Sequence, residues 1–128
     1  MNLLLDTHTF LWWDSNPSKL SPEVLRLCRN RTNRVFLSVV NIWEVQIKIQ
    51  LGKLQLTMPL PDLTALYQQN DGFEVLPVTL DHVLALGTLP LHHKDPFDRL
   101  LIAQALVENA TLVSADAAVA QYPINVLW

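Results

Sequence analysis

The chain has 128 residues and a mass of 14.5 kDa, which predicts one domain over residues 1–128. Half of the residues are hydrophobic and 16% are charged, so the chain can fill a core and is not disordered as a whole. Nine basic residues against twelve acidic ones give a formal net charge of −3. This charge argues against a generic nucleic-acid coat but allows a local basic patch.

Several common functional motifs are missing from the sequence. The three glycines lie too far apart to build a dinucleotide fingerprint or a P-loop. The single cysteine, Cys28, cannot form an internal disulfide or a thiolate zinc site, and we expect it to be a small core residue. No basic region precedes the first apolar residues, and no apolar run approaches the ~18 residues of a membrane span. These features predict a cytoplasmic protein with no membrane partner.

Short apolar runs rich in Leu, Val or Phe alternate with segments that begin like helices. The predicted strands, each followed by polar or turn residues, are Leu3 to Leu5, Val35 to Leu37, Phe73 to Leu76, Leu112 to Val113 and Asn125 to Leu127. The predicted helix starts are Ser21-Pro22-Glu23, Thr79, and Asp95-Pro96-Phe97-Asp98. Because apolar strands that alternate with helices form a parallel sheet covered on both faces, we predict a three-layer α/β/α fold.

The segment from Trp43 to Leu56 fits two structures. Its residues alternate between apolar and polar, which by period alone indicates a β-hairpin. A helix would instead pair Glu44 with Lys48 and end before Gly52. Periodicity does not decide between the two.

Ligand sites of parallel sheets form beyond the carboxyl ends of the strands, and four acids are expected to converge there. Asp6 follows the first predicted strand, and Asp116 follows the fourth by two residues. Asp98 lies in the first turn of a predicted helix, and Glu44 lies near the start of another if its segment is helical. Taken singly, each has a plain structural explanation, since the aspartates can cap helices and Glu44 can pair with Lys48.

Taken together, the four acids indicate a metal site. Carboxylates that share a few ångströms repel one another, and a bound divalent cation removes that penalty. An all-oxygen set suits Mg²⁺ or Mn²⁺ better than zinc. Such ions next to a phosphodiester can generate hydroxide and stabilise developing charge, so we expect phosphodiester hydrolysis.

Four segments resemble, in order and spacing, the motifs of PIN-domain ribonucleases and most of all the VapC-type toxins of type II toxin–antitoxin systems. They are Leu4 to His8, Ser38 to Glu44, Leu91 to Ala105 and Leu112 to Asp116. The third segment, which contains Asp-Pro-Phe-Asp-Arg-Leu-Leu-Ile-Ala-Gln-Ala, is the most specific. The resemblance implies a PIN-like fold with a five-stranded parallel sheet, and it favours a helix around Glu44.

The resemblance also implies roles for individual residues. Asp6, Glu44, Asp98 and Asp116 would hold Mg²⁺ or Mn²⁺ and form the catalytic site of an endoribonuclease. Thr7 and Ser114 would support that site through their hydroxyls, and Asp95 would be an accessory acid or a cap. The implied partners are RNA, a second copy of the chain in a homodimer, and a cognate antitoxin whose tail enters the catalytic groove.

The residues that would contact RNA are less specific. Lys48, Lys94 and Arg99 flank the acidic motifs and are candidates for binding phosphates. A cluster of four arginines either contacts RNA or forms a solvated face; its members are Arg26, Arg29, Arg31 and Arg34.

Two other functions compete with the ribonuclease. A phosphoaspartyl hydrolase would use Asp6 as nucleophile and needs an acidic residue two positions later. That position is occupied by His8 in this chain, which argues against this function. A catalytically silent module could capture a partner through an acidic groove, and it would show no affinity for Mn²⁺.

Overall fold

In a computed structural model that describes residues 1–92 and 95–128, the strands form one parallel sheet with the order β3-β2-β1-β4-β5. The strands are β1 (Asn2–Leu5), β2 (Arg34–Ser38), β3 (Glu74–Leu76), β4 (Thr111–Val113) and β5 (Val126–Leu127). The five predicted strands are therefore confirmed, each end to within one residue.

Six α-helices lie in the described parts of the chain. They are α1 (Thr7–Ser15), α2 (Pro22–Arg29), α3 (Val39–Gln50), α4 (Leu60–Asn70), α5 (Leu80–Ala85) and α6 (Pro96–Val107). The predicted caps are confirmed, because side chains of Ser21, Thr79 and Asp95 accept backbone N–H donors in the first turns of α2, α5 and α6. None of these helices combines the length and the apolar character that crossing a bilayer requires.

The ambiguous segment around Glu44 is helical, so the hairpin suggested by its alternation is wrong. Ser38 begins α3 with a capping box: its hydroxyl oxygen accepts from the N–H of Val40 at 3.0 Å, and its own N–H donates to Asn41 Oδ1 at 2.8 Å. Gly52, with a φ of +70°, follows the end of the helix in the left-handed conformation expected there. Local capping and tertiary packing thus outweigh the two-residue period.

Helices cover both faces of the sheet, which confirms the three-layer α/β/α fold. On β1 the side chains of Leu3 and Leu5 pack into one apolar cluster with α1, α2 and α4, whereas Leu4 packs into a second cluster with α6. All three leucines are completely buried. Replacing such a side chain by Ala typically costs about 2–5 kcal/mol of stability, so these clusters fix the strand ends that carry the site.

Candidate active site

Two of the acids predicted from the sequence, Asp6 and Asp116, line one cleft near the carboxyl end of the central strand. β1 pairs with β2 on one side and with β4 on the other, so the strand order reverses here and leaves a crevice beyond the strand ends. Asp6 follows β1 directly, and its N–H donates to the carbonyl of Val113 at the end of β4, at 3.1 Å. The main chain therefore ties the first acid to the strand that precedes Asp116.

Asp6 caps a helix and also lines a cleft. Its Oδ1 accepts from the N–H of Thr9 at 2.8 Å, which caps α1. The side chain is 7% exposed, and with Asp116 it lines a cleft of about 280 Å³ that also contains His8 and Trp12. Capping, the simple explanation of this residue, is correct and does not remove Asp6 from the cleft.

Asp116 is held by a turn rather than by an α-helix. Its N–H donates to the hydroxyl of Ser114 at 3.1 Å, and its Oδ1 accepts from the N–H of Ala118 at 2.9 Å. Ala117 and Ala118 form a turn that leads into a single 3-10 turn, so the expectation that the aspartates cap helices is wrong for Asp116, which caps no α-helix. Ser114 is buried and orients the backbone of Asp116 toward the cleft.

Glu44 is held by one neutral and one charged donor. The hydroxyl of Thr7 donates to Glu44 Oε1 at 2.7 Å, and Lys48 Nζ lies 3.3 Å from Oε2. The expected pairing of Glu44 with Lys48 is therefore present. Because Thr7 is the residue after Asp6, its hydroxyl links α3 to the end of β1.

The N-terminus of α6 carries Asp95 and Asp98. Asp95 Oδ1 accepts from the N–H groups of Phe97 and Asp98, at 2.9 and 3.3 Å, so its role as a cap is confirmed. Asp98 lies three and four residues before the buried Leu101 and Ile102. It therefore shares the helical face of α6 that packs into the core.

A second cleft of about 540 Å³ lies between α3 and the start of α6. Glu44, Lys48, Lys53 and Asp95 line it together with Phe97. The ring of Phe97 contacts Trp43 edge-on, with centroids 4.9 Å apart. The structure thus places Asp6 with Asp116 in one cleft and Glu44 with Asp95 in the other, and Asp98 lines neither.

In the ranges 1–92 and 95–128, no three side chains of the His, Cys, Asp and Glu types are grouped so that they could hold a metal ion. The joint site of Asp6, Glu44, Asp98 and Asp116 therefore stays a prediction. The donor chemistry of the first cleft nevertheless fits a hard cation, because Mg²⁺ is commonly held by only one or two carboxylates, with water and phosphate as the other ligands.

The three basic residues predicted to contact phosphates have different surroundings. Arg99 Nη1 donates to the carbonyl of Pro90 at 2.9 Å and to the hydroxyl of Tyr122 at 3.2 Å, so it braces the segment that precedes α6. Lys48 lies in the second cleft. Lys94, the remaining predicted phosphate contact, lies outside the described residues.

The arginine cluster lies at the other end of the sheet. Arg34 begins β2 and pairs with Glu74 at 2.9 Å, while Arg26 pairs with Glu23 at 2.6 Å. These contacts lower the pKa of each glutamate, first by hydrogen bonding, and raise the pKa of each arginine. Arg31 donates to the carbonyl of Asn70 at 2.5 Å. This arrangement favours the solvated face over a direct role at the acids.

Sequence reasoning did not single out Asn41, which contacts the residue that follows Asp6. Its Nδ2 donates to Thr7 Oγ1 at 3.2 Å, and it is completely buried. The available signal was the Ser38-x-x-Asn41 spacing, which is that of a capping box.

The protein is an open parallel α/β domain, the class of fold in which ligands generally bind at the topological switch point. The PIN domain family model matches residues 3–125, so the chain belongs to the PIN domain family. The resemblance seen in the sequence is thereby confirmed.

Individual proteins agree with this assignment. The chain is 25% identical over 115 residues to Ribonuclease VapC22 of Mycobacterium tuberculosis, an alignment that covers 89% of this chain and 86% of that protein. The structure of VapBC2 from Rickettsia felis bound to promoter DNA matches with a TM-score of 0.74 at 16% identity, covering 99% of this chain and 98% of that one. VapBC-1 from nontypeable Haemophilus influenzae matches with a TM-score of 0.67 at 19% identity, covering 99% and 97%. At these identities the solved structures establish the fold.

Proposed function

We propose that this protein is a Mg²⁺- or Mn²⁺-dependent endoribonuclease that hydrolyses RNA phosphodiester bonds. The observation that carries the proposal is the cleft in which Asp6 and Asp116 come together at the carboxyl edge of a PIN domain. The similarity to Ribonuclease VapC22 supports RNA as the substrate.

In this proposal Asp6 and Asp116 hold the divalent cation, and Glu44 and Asp98 complete its surroundings. The cation, when bound, lowers the pKa of a ligated water and stabilises charge on phosphate oxygens. Ser114 fixes the backbone of Asp116, and Thr7 fixes the carboxylate of Glu44. The proposal keeps Asp95 as the cap that starts α6 close to the second cleft.

Basic side chains near the acids would position the RNA. Lys48 lies next to Glu44 in the second cleft, where a phosphate of the substrate could compete for its ammonium group. We assign the same role to Lys94 and Arg99 on the strength of the sequence motif alone.

The direct test is RNA cleavage by purified protein in Mg²⁺ or Mn²⁺ and in EDTA. We expect cleavage only with metal, and loss of cleavage in Asp6→Asn. Asn caps helices as well as Asp does, so this variant should keep α1 intact while it removes the charge. Asp62→Asn, in the exposed first turn of α4, is the matched control and should cleave like the wild type.

Two results would contradict the proposal. Metal-dependent cleavage that persists in both Asp6→Asn and Asp98→Asn would place the chemistry elsewhere. Calorimetry that shows no Mn²⁺ binding at millimolar concentration, together with no cleavage, would favour the silent binding module.

We also propose that the protein is the toxin of a type II pair, neutralised by a cognate antitoxin, and that it forms a homodimer. The similar structures are VapBC assemblies, which supports a protein partner. Exposed apolar side chains just after α3 and on α5, including Leu51, Leu80 and Leu84, supply surface that such partners could cover.

Induced expression should arrest growth, and co-expression of a cognate antitoxin should restore it. The isolated chain should elute at twice its monomer mass in light-scattering chromatography. Expression without growth arrest would indicate a solitary processing nuclease, and a monomeric mass would reject the homodimer.

A further inference from the structure

A chain of buried polar side chains runs from the middle of α6 to Glu44. Gln104, Ser38 and Asn41 are completely buried, and Thr7 is 3% exposed. Among the described residues, no buried side-chain nitrogen or oxygen lacks a hydrogen-bond partner. Burying so many polar groups is costly unless every one is paired, so the arrangement of this chain is tightly specified.

Each link has a short distance and a defined donor. The hydroxyl of Ser38 donates to Gln104 Oε1 at 2.5 Å, and the N–H of Ser38 donates to Asn41 Oδ1 at 2.8 Å. Asn41 Nδ2 donates to Thr7 Oγ1 at 3.2 Å, and Thr7 donates to Glu44 Oε1 at 2.7 Å. The hydrogen bonds therefore connect α6, β2 and α3 to the carboxylate.

At the end of the chain opposite Glu44, the contacts of Gln104 determine which of its amide atoms faces Ser38. Its Nε2 donates to the carbonyl of Pro77 at 3.2 Å and lies 3.3 Å from His82 Nδ1. That ring nitrogen also accepts from the N–H of Thr79 at 3.0 Å, so it acts as an acceptor. The amide of Gln104 consequently presents its oxygen to Ser38.

The direction is fixed at the near end by Asn41. Because its Oδ1 accepts a backbone N–H, its amide nitrogen must face Thr7. The Thr7 oxygen accepts that donor, which leaves its single hydroxyl proton for Glu44. A helix cap needs only the oxygen of Asn41, so the contact to Thr7 is additional to capping.

We propose that Asn41 is a positioning residue that fixes the carboxylate of Glu44 through the hydroxyl of Thr7, with Ser38 and Gln104 holding Asn41 in place. This inference rests on the proposed nuclease function, in which Glu44 belongs to the site. Without the Asn41 donor, the Thr7 hydroxyl can rotate, and Glu44 then keeps its contact with Lys48 but loses the fixed donor at Oε1.

The variant Asn41→Asp tests this role. It keeps the size of the side chain and the acceptor for the Ser38 N–H, but it puts an acceptor where Thr7 needs a donor. We expect kcat for RNA cleavage to fall by about 10–100-fold, the usual effect of losing a group that orients a metal ligand, with a much smaller change in KM. Asn30→Asp is the matched control, because Asn30 uses only its oxygen, toward Thr32.

A double-mutant cycle separates positioning from a general loss of structure. In a Glu44→Gln background, Asn41→Asp should cause no further loss of the residual cleavage, since the two residues act as one unit. A loss as large as that in the wild-type background would overturn the proposal. If Asn41→Asp does not fold, Thr7→Val and Thr7→Ser replace it in the cycle, with loss expected for Val and activity for Ser.

NMR of the Asn41 side-chain amide tests the network without any catalytic readout. We expect these protons to exchange slowly and their resonances to shift in Thr7→Val, while the Asn30 amide stays unchanged. An unaffected Asn41 amide would overturn the proposal. If the wild-type protein cleaves no RNA, the proposed function fails and this NMR measurement decides the inference about the network by itself.

Discussion

The carboxyl edge of the sheet carries acids, and the amino edge carries arginines. At the carboxyl edge, Asp6 and Glu44 receive hydrogen bonds from a backbone N–H and from a buried hydroxyl. At the amino edge, Arg34 and Arg26 form exposed ion pairs with Glu74 and Glu23. The acids at one end of the sheet are thus hydrogen-bonded to backbone and hydroxyl donors, whereas the arginines at the other end are paired with glutamates in solvent.

This difference underlies our proposal that the acids, and not the arginines, bind a ligand. An exposed ion pair neutralises itself in water and contributes little to stability. The carboxylate of Asp6 instead accepts from a backbone N–H and lines a cleft, where a cation could reach it. Arg34 and Ser38 lie at opposite ends of β2, roughly 13 Å apart at about 3.3 Å per residue.

Removing one acid from each edge should give the largest contrast. We expect Asp116→Asn to lower metal-dependent RNA cleavage by more than about 100-fold, because it removes a proposed ligand of the cation. Glu74→Gln should leave cleavage unchanged, because Glu74 only pairs with Arg34. Single-turnover cleavage assays measure both. Equal losses in the two variants would mean that the edges do not differ in function.

A second prediction concerns Cys28, which lies in α2 near the amino edge. Burial raises the pKa of its thiol from 9.0 to about 11. The thiol must stay protonated to remain buried, so its contribution to stability is complete below pH 9 and is lost as the pH rises toward 11. The expected loss is about 2 kcal/mol.

Urea unfolding of the wild type and of Cys28→Ala at pH 8 and pH 11 measures this effect. The wild type should lose more stability than the variant between the two pH values. Parallel losses in the two proteins would show that the thiol does not titrate on unfolding. Tyr67, whose pKa burial raises as well, is present in both proteins and therefore cancels in the comparison.

Lysine and arginine substitutions sharpen the comparison through salt dependence. If Lys48 contacts a phosphate, Lys48→Gln should weaken RNA binding for all sequences and reduce the slope of log K against log salt by about 1. Arg31→Gln should leave the slope unchanged, because its guanidinium is bound to Asn70 at the other end of the sheet. Binding titrations with a non-cleaving Asp6→Asn background measure the slopes. A larger change for Arg31→Gln would put RNA at the amino edge.

The smallest expected effect is the change in Tm that follows from breaking the Arg34–Glu74 pair. The hydrogen bond to Arg34 lowers the pKa of Glu74, so the pair stabilises the fold above the ordinary carboxyl range and its contribution is lost as the pH falls. Glu74→Gln should therefore lower Tm slightly at pH 7 and leave it equal to the wild-type value at pH 3. A difference that persists at pH 3 would mean that the side chain acts through packing.

Much of the fold could be predicted from local signals. Apolar runs marked the strands, and Ser21, Thr79 and Asp95 marked helix starts, because both signals act within a few residues. The helix α4 was not predicted, although Leu60, Leu63 and Tyr67 are buried at helical spacing. The alternating pattern after Trp43 was misleading, since α3 is decided by its capping box and by contacts with distant elements.

The site was predictable only in part. Strand ends pointed to Asp6 and Asp116, and the cleft that they share agrees with that reasoning. The link from Gln104 to Ser38 joins residues 66 positions apart, so no local pattern reveals it. Asn41 was hidden for the same reason, since its contact with Thr7 exists only when α3 folds against the end of β1.

The proposed cation site is tested most directly by diffraction from crystals soaked in Mn²⁺, recorded near the manganese absorption edge. A cation held as proposed should give an anomalous peak in the cleft of Asp6 and Asp116, at about 2.0–2.3 Å from a carboxylate oxygen of each. The same crystals of Asp116→Asn should show no such peak. A peak elsewhere on the chain, or an equal peak in the variant, would contradict the proposed site.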